Sequence, residues 1–511
     1  MPGMRLVFVN RVFYPDHSAT SQILTDLCFA LAARGHEIHV VTSRLLYDDP
    51  SLALSANEMA SGVAVHRVWT SRFGRETLLK RAIDYLTFYL SALWRLLLLA
   101  DRSTVLVVKT DPPMISVVAA LAARATDARL VNWTQDLFPE VAVAVGIRAM
   151  RPALARWLAA VRDWSLRRAV RNVVIGEHMR ARLLARGLAD AKIAVIHNWA
   201  DGEVIVPEAY ARGGMGMPPY GIGASSSGVV RQSLADESSD VGRQSFADDG
   251  SDAGVHRGME ANSSGVGRQS LADESSDVGR QSFADDGSDV GVHRGMEASS
   301  SGVGRQSLAD DGMETNPLRR EWGLDGKFVV GYSGNLGRVH EFATVLDAAV
   351  QLADREDIVF LFIGGGHQLG ALKAEAGRRG LVNVQFQPYQ PRERLAQSLG
   401  ACDAHLVTLR SGLEGLVVPS KFYGIIAAGR PVLFVGAADG EIAGLVHEGQ
   451  CGQAFQVGDA QALAQCLRGL ADGPARAREW GENARRLFDA RFAMPIAVDR
   501  WERVLAGVAQ G

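Results

Sequence analysis

KFVVGYSGNLGRVHEF, residues 327–342, is the stretch on which the fold turns. Its first half is an apolar, β-branched run that reads as a buried strand. The run breaks into Gly331, Gly334 and Gly337 and passes into a helix-like sequence. Strand, glycine turn and helix in that order open a doubly wound parallel sheet, and the N–H groups of such a turn can meet a diphosphate at the helix N-terminus. Glycine is also needed at these turns for steric reasons alone, so the turn by itself leaves phosphate binding open. Arg338 closes it with a planar cation suited to phosphate.

The same grammar extends outward. Downstream lie IVFLFIGGG from Ile358, NVQFQPY from Asn383, DAHLVTL from Asp403 and PVLFVG from Pro431, with helix-like stretches between. Gly364, Gly365 and Gly366 repeat the strand-to-turn pattern. Upstream, RLVFVN from Arg5, EIHVVTS from Glu37, VAVHRVW from Val63, TVLVVKT from Thr104, RLVNWTQD from Arg129 and KIAVIHN from Lys192 alternate with longer helical segments in the same way. The alternation predicts an α/β chain of two Rossmann-like, doubly wound domains, residues 1–207 and 315–490, whose strand-end loops face a cleft. Residues 491–511 read as a terminal helix placed to pack back on the first domain.

Between the two blocks, residues 208–314 break the pattern. A 37-residue unit starts at Arg231 and again at Arg268, the copies differing only at Ala253/Val290 and Asn262/Ser299, and a third begins at Arg305. A solenoid needs a repeated apolar face, and this Ser/Gly/Asp-rich unit offers only isolated Leu, Phe, Val and Met. It is expected to be a disordered linker, with a regulatory or partner-binding tail as the alternative.

The chain's net charge of −3 over 511 residues conceals this division. The insert holds 8 Arg against 18 Asp+Glu, residues 1–207 hold 25 Lys+Arg against 18 acids, and residues 315–511 hold 21 of each. A basic first domain, a neutral second and an acidic linker argue against a nucleic-acid coat protein. Cys28, Cys402, Cys451 and Cys466 show no metal-like or disulfide-framework spacing, which suits a reducing compartment. No apolar leader with a small-residue cleavage site follows Met1, so a cytoplasmic protein is expected.

LEGLVVPSKFYGIIAAGRPV, residues 413–432, adds a third phosphate candidate. Pro419 opens a helix start that carries Ser420 and Lys421, with Glu414 on the loop before it. A hydroxyl, an ammonium and exposed N–H groups at one helix start make an anion site, because the helix dipole disfavours a lone cation there.

With these motifs in place, the two blocks resemble the retaining glycosyltransferases of family four with the GT-B fold, in the bacterial branch that builds O-antigen, capsule and colanic-acid units. The resemblance rests on FYPDHSATSQILTDLCFALAARGHEIHVVTS, NWTQDLFPE, HNWAD, NPLRREWGL, YSGNLGRVHEF, FIGGG, PYQPRERL and EGLVVPSKFYGIIAAGRPV, and covers the chain except the insert. It implies that the second domain binds a nucleotide sugar, expected to be UDP-linked, and that the first presents a polyprenyl-diphosphate-linked or other glycan acceptor. It also implies roles. Arg338, Lys421 and Ser420 would meet the donor diphosphate, Glu414 the donor ribose or sugar, and Asp136 the acceptor. Gly334, Asn335, Gly365 and Tyr389 would line the donor nucleotide, and Ser18 and Thr20 an acceptor or phosphate loop. No cofactor or metal is expected. Fixed cations and N–H dipoles would meet the charge on the departing nucleoside diphosphate.

Three positions depart from the family pattern: Gly424 stands where a second glutamate is common, His340 near the place of a lysine, and Gln135 at the histidine of a His-Asp pair. Thr20 and Ser21 also read as N-caps of the following helix, and Asp136 as an N-cap before LFPE. Two rival functions share the fold: a non-hydrolysing nucleotide-sugar epimerase, and a nucleotide-binding scaffold without activity.

Membrane contact is the second theme. The uncharged stretch of residues 85–94, between Asp84 and Arg95, is too short to span a bilayer and is expected as a buried helix, a surface-inserting one being the alternative. Residues 148–186 carry ten arginines against Asp163 and Glu177, with Trp157 and Trp164 among them. Read as one amphipathic stretch, they suit the anionic inner face of a plasma membrane.

Overall fold

The computed structural model describes residues 3–16, 18–46, 53–74, 77–207 and 316–510; the repeat insert, and what was expected of it, lies outside the described residues. The first lobe is built on eight strands: β1 Arg5–Val9, β2 Glu37–Ser43, β3 Asn57–Ala60, β4 Val63–Val68, β5 Thr104–Lys109, β6 Arg129–Thr134, β7 Arg171–Val174 and β8 Ile193–Val195. They lie in the order β3-β4-β2-β1-β5-β6-β7-β8, with only β3 antiparallel to its neighbour. The second lobe holds β9 Phe328–Ser333, β10 Ile358–Ile363, β11 Val384–Gln387, β12 Ala404–Thr408, β13 Val432–Val435 and β14 Gly452–Phe455. Their order is β11-β10-β9-β12-β13-β14, all parallel.

The apolar runs explain these sheets. TVLVVK of β5 and IVFLFI of β10 are buried at every position, as strands covered by helices on both faces must be. Strand order reverses beside β1, between β2 and β5, and beside β9, between β10 and β12. Such switch points leave a crevice at the strand C-termini, so the loops after β1, β5, β6, β9, β10 and β12 are the ones placed to bind ligands.

The two lobes touch through those loops. Leu137 N donates to Leu416 O at 2.9 Å, and Arg182 Nε to Glu414 O at 2.6 Å. The chain ends in two helices, Pro474–Arg491 and Met494–Gln510. The last packs on the Ala19–Ala33 helix of the first lobe and buries Trp501 completely, its ring 4.7 Å from that of Trp133. Arg34 pairs there with Asp499 at 2.7 Å and Glu502 at 2.6 Å.

Several local expectations give way. Strands β3, β7 and β14 were not anticipated; each is four residues long, too short for a periodic signal to stand out. The stretch around residues 85–94 is not a buried helix. It belongs to a 22-residue helix, Leu78–Leu99, that buries Phe88, Ala92 and Leu96 against the sheet but exposes Leu86, Leu90 and Trp94. Residues 148–186 are not one amphipathic stretch either, since they fold into the Pro152–Arg168 helix, β7 and the Glu177–Ala185 helix. Their charges are partly spent inside the lobe: Arg162 bonds Glu140 and Asp163, and Arg186 pairs with Asp163 at 2.7 Å.

Candidate functional site

In the second lobe the loops after β9 and β10 lie against one another. Gly334 and Gly364 both have positive φ, 122° and 134°, and a Cβ at Gly364 would stand 2.3 Å from Gly334 O. Both glycines are therefore fixed by backbone conformation and by contact. The Tyr389 ring covers the second loop: a Cβ on Gly365 would meet it at 3.1 Å. Asn335 and Arg338 are exposed on the first loop. Arg338 lends its carbonyl to Arg410 Nη1 at 3.3 Å and leaves its guanidinium at the surface. The helix expected straight after this turn begins only at Ala343, so the turn is a loop of its own rather than a helix N-terminus.

Lys421 reaches into this loop from the first position of a seven-residue helix, Lys421–Ala427. Pro419 stands just outside that helix, and exposed Ser420 occupies the N-cap position without a side-chain cap bond. Lys421 Nζ donates to Asn335 O at 3.2 Å, lies 3.2 Å from His340 Nε2 and sits 4.9 Å above the Tyr332 ring. His340 Nδ1 is 2.7 Å from Thr408 O, an obligate acceptor, so Nδ1 carries the ring proton and Nε2 is left to accept from Lys421. Burial first and the Lys421 charge next hold the imidazole neutral against the Thr408 bond, its pKa lowered to about 3. Burial lowers the Lys421 ammonium to about 8. An ammonium has three donors, and these two acceptors leave one unspent. The cation is thus held by a carbonyl and an imidazole. Tyr332 Oη also donates to Asn335 O, at 2.9 Å.

Glu414 is not brought into this group. Its Oε2 accepts from Glu441 N at 3.3 Å and its Oε1 is buried without a partner among the described residues. Burial raises its pKa, against the Glu441 N–H and the His178 charge. Glu441 itself crosses to the first lobe, accepting from Glu177 N at 3.1 Å and His178 N at 2.9 Å, with His178 Nδ1 at 2.9 Å and His197 Nε2 at 3.2 Å. A Cβ at Gly424, where a glutamate was sought, would meet Leu399 at 3.8 Å and Ile205 at 3.9 Å.

The first lobe answers with a cluster at the ends of β5 and β6. Lys109 is 1% exposed, donates to Thr20 O at 2.8 Å and lies 4.4 Å above the Trp133 ring. Burial lowers its pKa to about 7, opposed by Asp111, Cys28, Asp26 and Asp136. Asp136 shows its side chain to solvent yet is walled by protein; desolvation, helped by Asp111 and opposed by Lys109, raises its carboxyl to about 6. It caps no helix, since the next one is Glu140–Ala144 with Pro139 at its N-cap position. Gln135 and Asn198 exchange amide bonds at 3.1 and 3.0 Å, which turns Gln135 into a clasp between two loops. Ser18, not Thr20 or Ser21, stands at the N-cap position of the Ala19–Ala33 helix, where its N–H bonds Asp16 Oδ1 and its Oγ is buried without a partner among the described residues.

Lys109, Asp111, Glu441, His178 and Tyr332 were not singled out from the sequence. A lysine closing the otherwise apolar TVLVVK was a usable signal for Lys109; nothing local marks the others. Among the described residues, no three His, Cys, Asp or Glu side chains are grouped to hold a metal ion.

A glycosyl transferase 4-like domain model matches residues 19–199, and a glycosyl transferases group 1 model matches residues 314–487, between them most of the chain. The chain is 35% identical over 147 residues to WbjE of Pseudomonas aeruginosa, named as a glycosyltransferase, covering 29% of this chain and 36% of that protein. It is 37% identical over 117 residues to WcaI of Escherichia coli K12, named as a glycosyl transferase of colanic acid biosynthesis, covering 23% of this chain and 28% of that one. These matches thus span about a third of each relative. Among solved structures, HepE of Anabaena with UDP and glucose superposes with a TM-score of 0.58 at 13% identity, covering 99% of this chain and 100% of that one. Sucrose-phosphate synthase of Thermosynechococcus elongatus gives 0.62 at 13% identity, covering 99% of each. These two are likenesses of fold.

Proposed function

Since the chain belongs to the family-four glycosyltransferases of GT-B fold, we propose that it moves a sugar from a nucleotide sugar, UDP-linked, to a polyprenyl-diphosphate-linked or other glycan acceptor, with retention at the anomeric carbon, in surface polysaccharide synthesis. The observation that carries this reading is Lys421: a half-buried ammonium held by Asn335 O and neutral His340, with one donor unspent, beside the exposed Arg338 and the paired glycine loops. Departure of a nucleoside diphosphate builds negative charge, and a preorganised cation stabilises it without reorganising at that moment. Arg338 takes the other side of the diphosphate, with Ser420 bonding one of its oxygens. Gly334, Asn335, Gly365 and Tyr389 line the nucleotide.

Across the cleft, Asp136 receives the acceptor hydroxyl, with Ser18 and Thr20 on the neighbouring loop; Glu414 is assigned to the donor sugar through the loop that joins the lobes. The chain works at the cytoplasmic face of the membrane, where a lipid-linked acceptor would be held. The decisive experiment incubates the protein with a panel of nucleotide sugars, with and without a lipid-linked acceptor. Sugar transfer only with acceptor supports the reading. Epimerised donor without acceptor, or binding without turnover, would replace it with one of the two rival functions. Because the cations Lys421 and Arg338 carry the charge neutralisation, transfer should persist after exhaustive chelation; loss of activity that Mg²⁺ or Mn²⁺ restores would refute that part.

A further inference from the structure

The Leu78–Leu99 helix offers a surface that the proposed chemistry does not use. Its stretch Leu79–Leu99, of mean hydropathy 1.4, is long and apolar enough by length and composition to cross a membrane. Phe88, Ala92 and Leu96 are nevertheless fully buried against the first sheet, so the helix is fastened lengthwise to the lobe and has only one face to offer. That face shows Leu86, Leu90, Trp94 and Leu98, spaced by four in a single stripe, with Leu90 61% and Trp94 67% exposed. Trp69, 61% exposed, joins Leu90, Trp94 and Leu98 along a groove of ≈ 510 Å³.

Charge selects the occupant. Lys80, Arg81 and Arg95 lie on this helix, while its one acid, Asp84, is turned inward to accept from Ser71 Oγ, Phe73 N and Gly74 N. The Ile115–Thr126 and Pro152–Arg168 helices pack beside it in a row on the same sheet face, and the third adds exposed Arg156 and Trp157. A second copy of this helix would set Lys80, Arg81 and Arg95 against the same cations, with Asp84 turned inward in both. An anionic bilayer supplies hydrocarbon for the stripe, phosphates for the cations and a polar boundary for the tryptophans. We propose that this three-helix face seats in the boundary layer of an anionic membrane, with the stripe of residues 86–98 inserted among the acyl chains and the helix lying in the membrane plane.

The placement also serves the cleft. The Arg11 guanidinium stacks 5.3 Å above the Tyr85 ring of this helix, and Arg11 N donates to Asp111 O at 2.9 Å, so the helix is tied through Arg11 to the Asp111 loop of the cleft. That use of the surface rests on the proposed lipid-linked acceptor; the docking itself does not.

The test is flotation of the full chain with phosphatidylglycerol or phosphatidylcholine vesicles, at low and high salt, for the native protein and a Leu90→Asp/Trp94→Asp variant. The native protein should float with phosphatidylglycerol, less with phosphatidylcholine, and stay partly bound in high salt. The variant should bind at least about tenfold more weakly while keeping its melting midpoint and UDP binding. Equal flotation of variant and native protein overturns the proposal, as does complete release by salt, which leaves only surface arginines at work. It is equally overturned by a native dimer that the variant splits, or by indifference to all vesicles. Flotation as expected without transfer from any donor leaves the docking standing and removes the transferase reading; transfer to a water-soluble acceptor without flotation does the reverse.

Discussion

At the scale of single residues, two groups set a pH window. Lys421, lowered to about 8 by burial, is charged below that value, and in its proposed role it would release a diphosphate as pH rises through it. Asp136, raised to about 6 first by desolvation and then by Asp111, accepts a hydrogen bond as a carboxylate above that value and is protonated below it. The expected kcat/KM profile is a bell with limbs near 6 and 8. Replacing Lys421 by Gln should remove the upper limb and weaken UDP binding by roughly ten- to a hundredfold, the worth of a charge-assisted bond. Calorimetric titration with UDP and a pH–rate profile check both; UDP binding unchanged in Lys421→Gln would remove Lys421 from the donor site. Residue type alone made Lys421, Arg338 and the glycines of 331–337 visible in the sequence. That His340 accepts from Lys421 was not visible, because the two lie 81 residues apart and meet only through the β9–β12 pairing. Gln135 was legible as a departure, and its reason, the amide clasp with Asn198, belongs to a contact 63 residues distant.

At the scale of elements, the informative contact is the one Glu441 makes from the start of its Glu441–Glu448 helix to the start of the Glu177–Ala185 helix in the other lobe. Burial pushes the Glu441 carboxyl up, but bonds from His197, His178 and Glu177 outweigh it and bring the pKa from 4.5 down to about 2. A depressed carboxylate contributes stability that is complete above the unfolded value near 4.5 and is lost as pH falls toward 2. His178 is shifted the other way: burial lowers it, yet its bond and charge contact with Glu441 raise it overall. Its contribution is therefore complete below 6.5, its ordinary value, and lost as pH rises through the raised one. The share of stability that this contact contributes, read as the difference in melting midpoint between the native protein and a variant lacking it, should be flat between about 4.5 and 6.5 and fall on both sides. Glu441→Ala should cost roughly 3 kcal/mol and flatten the acid limb. An acid limb identical to that of the native protein would show that this contact does not couple the lobes. The parallel strands with long β-branched runs were readable because both faces are buried; RNVV of β7 and GQAF of β14 were not, being short and edged by charge or glycine.

At the scale of the molecule, the last helix closes the architecture by a route the chain takes only after the second lobe is complete. Met494–Gln510 leaves its own lobe and supplies Trp501 to the aromatic stack of Trp133 and Trp199 under the first sheet. Trp501, Leu505 and Val508 of this helix thus complete the core of the first lobe. Trp501 is fully enclosed, and its Nε1 has no partner among the described residues. These two facts pull apart two substitutions. Trp501→Ala opens a cavity beneath Trp133 and loses the ring contact, a change worth about 3–5 kcal/mol. Trp501→Phe keeps most of the packing and deletes an unsatisfied donor, so its cost should be clearly smaller. Thermal melts of the two variants measure the difference, and UDP binding separates the lobes. Because Lys421 and the glycine loops belong to the second lobe, UDP affinity measured well below the melting point should survive in both variants, while the first lobe loosens only in Trp501→Ala. If Trp501→Phe proves as damaging as Trp501→Ala, the indole N–H has a partner and the terminal helix holds by a hydrogen bond rather than by packing. If neither variant lowers the midpoint, the first lobe closes its core without Trp501 and the dependence of one lobe on the other's tail is refuted.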